Sequence, residues 1–168
     1  MIISLTDLFS VAGKSRTESV TFDKDRIFDY KVLAFQAGPL RLVHEKDRIL
    51  NIKGEAEAVL STRCDRCLKK VETKVTVSLD RKIDAFNMLD EDGETVDFID
   101  HDDLLLDDLL EEAFIENLPM KILCKEDCKG LCETCGKDLN EGPCDCGKTQ
   151  ILTPMQEALM KALNNTDQ

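Results

Sequence analysis

The chain has 168 residues, 42% hydrophobic and 33% charged, with 34 acidic against 22 basic side chains and a net charge of −12. That is enough apolar material for a core, and the negative balance opposes a general electrostatic nucleic-acid binder. No apolar run approaches the ~20 residues of a membrane-spanning helix, and the first residues lack the basic and apolar regions of a secretory signal, so a cytoplasmic protein is expected.

Residues 4–10 suit a short helical turn with Leu5, Leu8 and Phe9 on its apolar side; 13–17 read as a polar loop and 19–22 as a strand. Residues 30–42 are extended and mixed, interrupted at Gly38-Pro39. Residues 48–62 predict a long strand. Its partner is clearer. Val71, Thr73, Val75, Val77 and Leu79 alternate with Glu72, Lys74, Thr76, Ser78 and Asp80, the period of a half-buried strand. Between the two lies R-C-D-R-C-L-K-K, so Cys64 and Cys67 belong at the tip of a β-hairpin.

After Asp84 the pattern dissolves into an acidic loop, and 104–118 then predict a helix. Leu106, Leu109, Leu110, Ala113 and Leu118 form its apolar stripe. Asp102 and Asp103 stand at its start, where the helix dipole favours negative charge, and Pro119 ends it. Pro154 opens a last helix over 155–163, and 164–168 form a frayed tail. The expected class is α+β. An antiparallel β-rich body with a long hairpin covers 1–83, an acidic loop and packed helix 84–120, a cysteine-rich zinc module 121–150, and a helix with tail 151–168.

Charge is unevenly spread. Residues 83–120 hold fourteen carboxylates and no Lys or Arg, so the rest of the chain is close to neutral. Such a belt reads either as a solvated face or as a docking surface for a basic partner, with Asp102, Asp103, Asp107 and Asp108 as its candidate contacts. Charge complementarity of that kind speeds encounter more than it deepens affinity.

Eight cysteines carry the chemistry: Cys64, Cys67, Cys124, Cys128, Cys132, Cys135, Cys144 and Cys146. In a reducing compartment a disulfide framework is not expected, whereas six cysteines within 23 residues, interleaved with Gly, have metal-ligand spacing. Zinc suits tetrahedral thiolate sites. Gly136 follows the second cysteine of C-E-T-C-G-K, where a knuckle asks for φ > 0. Cys132, Cys135, Cys144 and Cys146 can form one site, leaving Cys64, Cys67, Cys124 and Cys128 to link the hairpin tip to the segment after the helix. Grouping Cys124, Cys128, Cys132 and Cys135 by proximity is the competing arrangement. Four-thiolate sites are closed and structural. Two of them, at −2 each, would bring the chain to −16. Arg63, Arg66, Lys69 and Lys70 surround the hairpin-tip pair; they either screen thiolates or contact phosphates of structured RNA.

Catalysis finds little support. His44 and His101 are the only histidines, and no nucleophile elbow, P-loop or H-E-x-x-H motif is present. The run C-D-R-C-L at 64–68, E-N-L-P-M-K-I-L-C at 116–124 and D-C-K-G-L-C-E-T-C-G-K-D-L-N at 127–140 resembles the bacterial YceD family, as do S-L-T-D-L at 4–8 and T-P-M-Q-E-A-L at 153–159. Glu133 stands where many relatives carry proline. The resemblance implies a non-enzymatic ribosome-biogenesis factor supporting synthesis, processing or stability of 23S rRNA. Its partner would be large-subunit pre-rRNA or a basic ribosomal protein, with no membrane and no small-molecule substrate. The alternative from a different class is a zinc-binding, chaperone-like adaptor for a basic client.

Overall fold

Period-two patterning runs longest on either side of Cys64 and Cys67, and there the backbone builds its largest element. The computed structural model describes residues 1–146; the expected helix over 155–163 and the tail lie outside the described residues. Those described residues carry nine strands and two helices. In order these are β1 (Ile2–Ser4), α1 (Thr6–Phe9), β2 (Ser15–Glu18), β3 (Arg26–Ile27), β4 (Tyr30–Ala37), β5 (Leu40–His44), β6 (Ile49–Arg63), β7 (Lys70–Asp84), β8 (Ile99–Asp100), β9 (Asp103–Leu105) and α2 (Leu106–Glu116). The sheets are antiparallel, one of six strands and one of three.

Strands β6 and β7 pair without interruption from Ile49↔Asp84 to Arg63↔Lys70. At ~3.4 Å per residue, fifteen residues make a ribbon of roughly 50 Å. The other edge of β6 is shared: β5 covers Leu50 to Lys53 and β4 covers Ala56 to Ser61. The break at Gly38-Pro39 is where the chain passes from one to the other. Strand β4 changes pleat partway, with a register shift between Val32 and Ala34. Tyr30 and Val32 therefore face the core on one side of the shift, and Phe35 and Ala37 on the other. One extra residue is what re-aims the second half.

The core is the expected face of the hairpin. Leu50, Ile52, Ala56, Ala58 and Leu60 of β6 and Val75, Val77, Leu79 and Ile83 of β7 are buried, each large aliphatic contributing about 1.5–3 kcal/mol. Helix α2 lays Leu106, Leu109, Leu110, Ala113 and Phe114 on this face. Phe114 meets Phe35 edge-on at 6.2 Å, and Phe35 stacks on Phe22 at 5.4 Å.

Three local expectations are corrected. Residues 15–18 form strand β2 and not a loop; its polar sequence is ordered by the edge of β5, with Ser15 opposite Val43. Residues 19–22 form no strand, although Val20 and Phe22 pack against the core. Asp103 belongs to β9, opposite Ser4, so the acids in the first turn of α2 are Asp107 and Asp108. That strand lies between its neighbour β8 and β1, which is a hundred residues distant in sequence; no local pattern announces the distant partner.

Candidate metal centres

The tip of the hairpin turns back through residues 64–69, and this turn places Cys64 and Cys67 against the segment that follows α2. The structure brings together Cys64, Cys67, Cys124 and Cys128, and separately Cys132, Cys135, Cys144 and Cys146; within each group the four Sγ atoms lie within 4.8 Å of one another. The proximity grouping of Cys124, Cys128, Cys132 and Cys135 is not the one formed. Sγ separations are 3.7 Å for Cys64–Cys128, 3.5 Å for Cys67–Cys124 and 3.3 Å for Cys132–Cys144. These are far beyond a disulfide bond of ~2.05 Å. A tetrahedron with metal–sulfur bonds of ~2.3 Å has edges of ~3.8 Å, so the donor sets fit such an ion.

The two centres share one backbone device. Cys64 N–H donates to the Lys69 carbonyl at 2.8 Å and Leu68 N–H to the Cys64 carbonyl at 2.9 Å. Cys132 and Lys137, then Gly136 and Cys132, repeat the two bonds at 2.8 Å each. Both turns need a left-handed residue after the second cysteine: Gly136 has φ 71°, as its sequence position suggested, and Leu68 has φ 60°. For leucine this costs about 1–2 kcal/mol, and its side chain is 56% exposed.

Their surroundings differ. Cys64, Cys67 and Cys128 are buried in a small cluster with Val71, Leu123 and Leu131, while Cys124 is exposed. The two segments of this joint are tied by reciprocal bonds: Asp65 N–H to the Ile122 carbonyl at 2.9 Å, and Ile122 N–H to the Asp65 carboxylate at 2.6 Å. Asn140 donates to the Cys128 sulfur at 3.4 Å and accepts from Lys129 N–H at 2.9 Å. Asn140 was not singled out by spacing; its place in the D-L-N end of the cysteine run is the signal it carried. In the second centre, by contrast, the four cysteines are half-buried or exposed.

Electrostatics in each group are those of thiols competing to ionise. At Cys64 burial opposes ionisation, but backbone N–H groups of Arg66, Cys124 and Cys67 outweigh it and bring the thiol down to about 6. Cys124, facing Cys67, is pushed up to about 12. The second group repeats the contrast: the Cys135 backbone N–H lowers Cys132 to about 6, and the neighbouring Cys135 sulfur raises Cys146 to about 12. Four clustered thiolates repel one another, and a divalent cation is the group that stabilises all four at once.

Of the four bases at the tip, two are engaged internally. The Arg66 guanidinium donates to the Cys128 carbonyl at 2.8 Å. Lys69 pairs with Asp138 at 2.8 Å and Glu141 at 3.1 Å. Lys69 holds the Asp138 carboxyl down to about 2, so this tie is complete above the ordinary carboxylate value of 3.8 and weakens as pH falls toward 2. Arg63 and Lys70 are exposed. The acidic candidates are partly committed too: Asp102 pairs with Arg48, Asp107 with the Met1 amino group, and Asp108 with Lys24 at 2.8 Å. Asp103 is half-buried in β9. The belt lacks bases of its own and draws them from elsewhere in the chain. His44 is buried, with Nδ1 3.0 Å from the Val11 carbonyl oxygen and its ring edge-on to Phe9; His101 is exposed beside Asp100.

Gly130 fixes the approach of the module to the tip. Its φ is +75°, and a Cβ there would lie 3.0 Å from the Arg66 carbonyl oxygen, which accepts Leu131 N–H at 3.1 Å. Gly130→Ala is expected to cost about 1–2 kcal/mol in left-handed strain alone. The clash should speed metal release from the Cys64 centre, read with a colorimetric chelator. Wild-type melting and release rates would refute this role.

Fold and sites together define a strand-rich protein with two four-thiol groups able to hold metal, one joining the hairpin tip to a cysteine module and one within that module. The model of the family described as large ribosomal RNA subunit accumulation protein YceD matches residues 52–163, and the chain belongs to that family. The match spans β6 from Ile52 onward, the hairpin tip and both thiol groups. No curated protein and no solved structure matches the chain. The family is described through accumulation of the large ribosomal RNA and not through an enzymatic activity. No helix among the described residues is long and apolar enough to cross a membrane.

Proposed function

We propose that this protein is a non-enzymatic, cytoplasmic ribosome-biogenesis factor that supports synthesis, processing or stability of 23S rRNA by binding pre-rRNA, a basic large-subunit protein, or both. The observation that carries this reading is the family match over the hairpin and cysteine module. Two zinc ions would be held, one by Cys64, Cys67, Cys124 and Cys128 and one by Cys132, Cys135, Cys144 and Cys146. With four thiolates each, such centres have no open position for a substrate. The first would fasten the module, over residues 121–150, to a β-rich body, and the second would hold the module itself together.

A second reading is a zinc-binding adaptor that holds a basic client and acts on rRNA indirectly. It is favoured by the exposed carboxylates Glu91, Asp92, Glu94 and Asp97, which have no base in their own stretch of chain. One experiment separates the two. Cells depleted of the protein should lose mature 23S rRNA, and the tagged protein should sediment with large-subunit precursors and crosslink to their RNA. Capture of a ribosomal protein without RNA would favour the adaptor. Unchanged 23S rRNA on depletion would reject both.

A further inference from the structure

We propose that the groove between the β3–β4 turn and the hairpin tip is a binding site for single-stranded RNA, with Arg26, Lys31, Arg63 and Lys70 on phosphates and Phe28 and Leu68 as apolar platforms for unpaired bases. This rests on the large-subunit reading above and names the surface that would do the binding. The groove has a volume of about 690 Å³ and is lined by those four bases together with Ser61, Thr62, Cys64, Leu68 and the carboxylates Asp29 and Asp65. Asp65 is turned to the Ile122 N–H.

Arg26 stands directly opposite Lys31 in the β3–β4 pair, and Arg63 directly opposite Lys70 in the β6–β7 pair. Like charges in directly opposed positions destabilise a sheet. Elsewhere the ribbon relieves such pairs: Arg41 faces Lys53, but Lys53 has Asp80 at 2.9 Å. Here two like-charged pairs converge on one groove of a protein whose net charge is −12. Among the described residues, the one hydrogen bond that these four side chains make runs from Arg26 to the Asp29 carbonyl, at 2.6 Å, and neutralises nothing. Phosphate oxygens supply the missing anions.

Phe28 and Asp29 make the two-residue turn between Ile27 and Tyr30. Such turns prefer Asn-Gly because they ask for φ > 0, yet Phe28 takes φ 52° with its side chain 65% exposed. Its N–H is fixed to the Glu111 carboxylate at 3.0 Å, so the turn is held while the ring is free. Leu68 repeats the choice at the tip, where the sister turn uses Gly136. Two large apolar side chains thus occupy left-handed positions that glycine would fill at less cost, one lining the groove and one next in the chain to its lining residue Asp29. Strained residues kept in such places point to function. Apolar surfaces flanked by bases suit bases splayed from a single strand, not a duplex whose bases are stacked inside.

The metal-loaded full chain is titrated with labelled oligouridylate and with duplex RNA of equal length, at several salt concentrations. Wild type should prefer the single strand. Lys31→Ala with Lys70→Ala should reduce the salt slope of binding by ~0.7 for each phosphate that is no longer neutralised. Phe28→Gly with Leu68→Gly, which the left-handed backbone accepts, should keep metal content and melting while lowering affinity ~5-fold or more. Photo-crosslinks on the unmodified protein should map to residues 26–31 and 63–70. Wild-type affinity and slope in both variants, or crosslinks elsewhere, would overturn the groove while leaving large-subunit association standing. Equal displacement by poly-glutamate, with crosslinks from an acidic peptide in the groove, would assign it to a protein partner and overturn the RNA reading. Loss of sedimentation with large-subunit precursors, with oligouridylate binding intact, would sink the broader function alone.

Discussion

Cys64→Ser is expected to leave one zinc equivalent per chain instead of two, and to unfasten the cysteine module from the hairpin tip. The side chain is fully buried among Cys67, Cys128, Val71, Leu123 and Leu131. Loss of one thiolate therefore leaves three donors in a pocket with little else to bind the ion. Structural zinc in small modules supplies an apparent ~10–16 kcal/mol near neutral pH, larger than any side-chain contact this joint makes. Without the ion, the cluster retains only a few aliphatic contacts and the reciprocal Asp65–Ile122 bonds. Hydrogen exchange should rise at Ile122 and Leu131 N–H, while β6 and β7 keep their protection because their core is a separate cluster. Cys132→Ser should remove the other equivalent and disturb only the more exposed centre. Metal analysis that still finds two equivalents in Cys64→Ser would show that Cys64 is not a ligand.

How much of this was legible in the sequence depends on how local each cause is. The hairpin is local: alternation over 71–80 and a cysteine pair between two strand patterns define both strands and the tip. The thiol grouping was legible only as one of two arrangements. The spacing of two knuckle-like pairs favoured leaving the hairpin cysteines to meet Cys124 and Cys128, but proximity in sequence allowed Cys124, Cys128, Cys132 and Cys135, and only the fold decides between them. Pairings supplied by distant chain were not legible. Strands β1 and β9 are three residues each, too short for any pattern; β9 has its neighbour β8 on one side, but its pairing with β1 reaches across a hundred residues. The same limit governs the charges. Arg66 and Lys69 look like free bases in the sequence, but the fold turns them to the Cys128 carbonyl and to Asp138. Arg26 and Lys31, remote from any motif, are brought beside Arg63 and Lys70 by the β3–β4–β6 ladder. The acidic belt likewise reads as unpaired only until Lys24, Arg48 and Arg81 arrive from elsewhere.

Phe114→Ala should be the most damaging single change in the apolar body. The ring is fully buried on the inner face of α2 and meets Phe35, which stacks on Phe22. It therefore connects the helix to β4 and to the irregular segment before β3. Truncating a buried phenylalanine costs about 3–5 kcal/mol, and at ~2–4 °C per kcal/mol for a chain of this size the melting temperature should fall by roughly 6–20 °C. The ion pairs along α2 cannot make up the difference. Lys24 with Asp108 and Glu111, and Arg81 with Glu116, are partly exposed, and such pairs contribute about 0–1 kcal/mol each. The same packing sets the β3–β4 turn, because Glu111 on α2 accepts the Phe28 N–H. Loosening α2 should thus free that turn before it frees the metal-bound tip. Hydrogen exchange should rise at Phe28 and Val32 N–H at temperatures where the metal content of the protein is unchanged. A Phe114→Ala protein that melts within about 2 °C of wild type, less than the ~6 °C floor set by ring truncation, would mean that the helix is not anchored to the sheet through this ring.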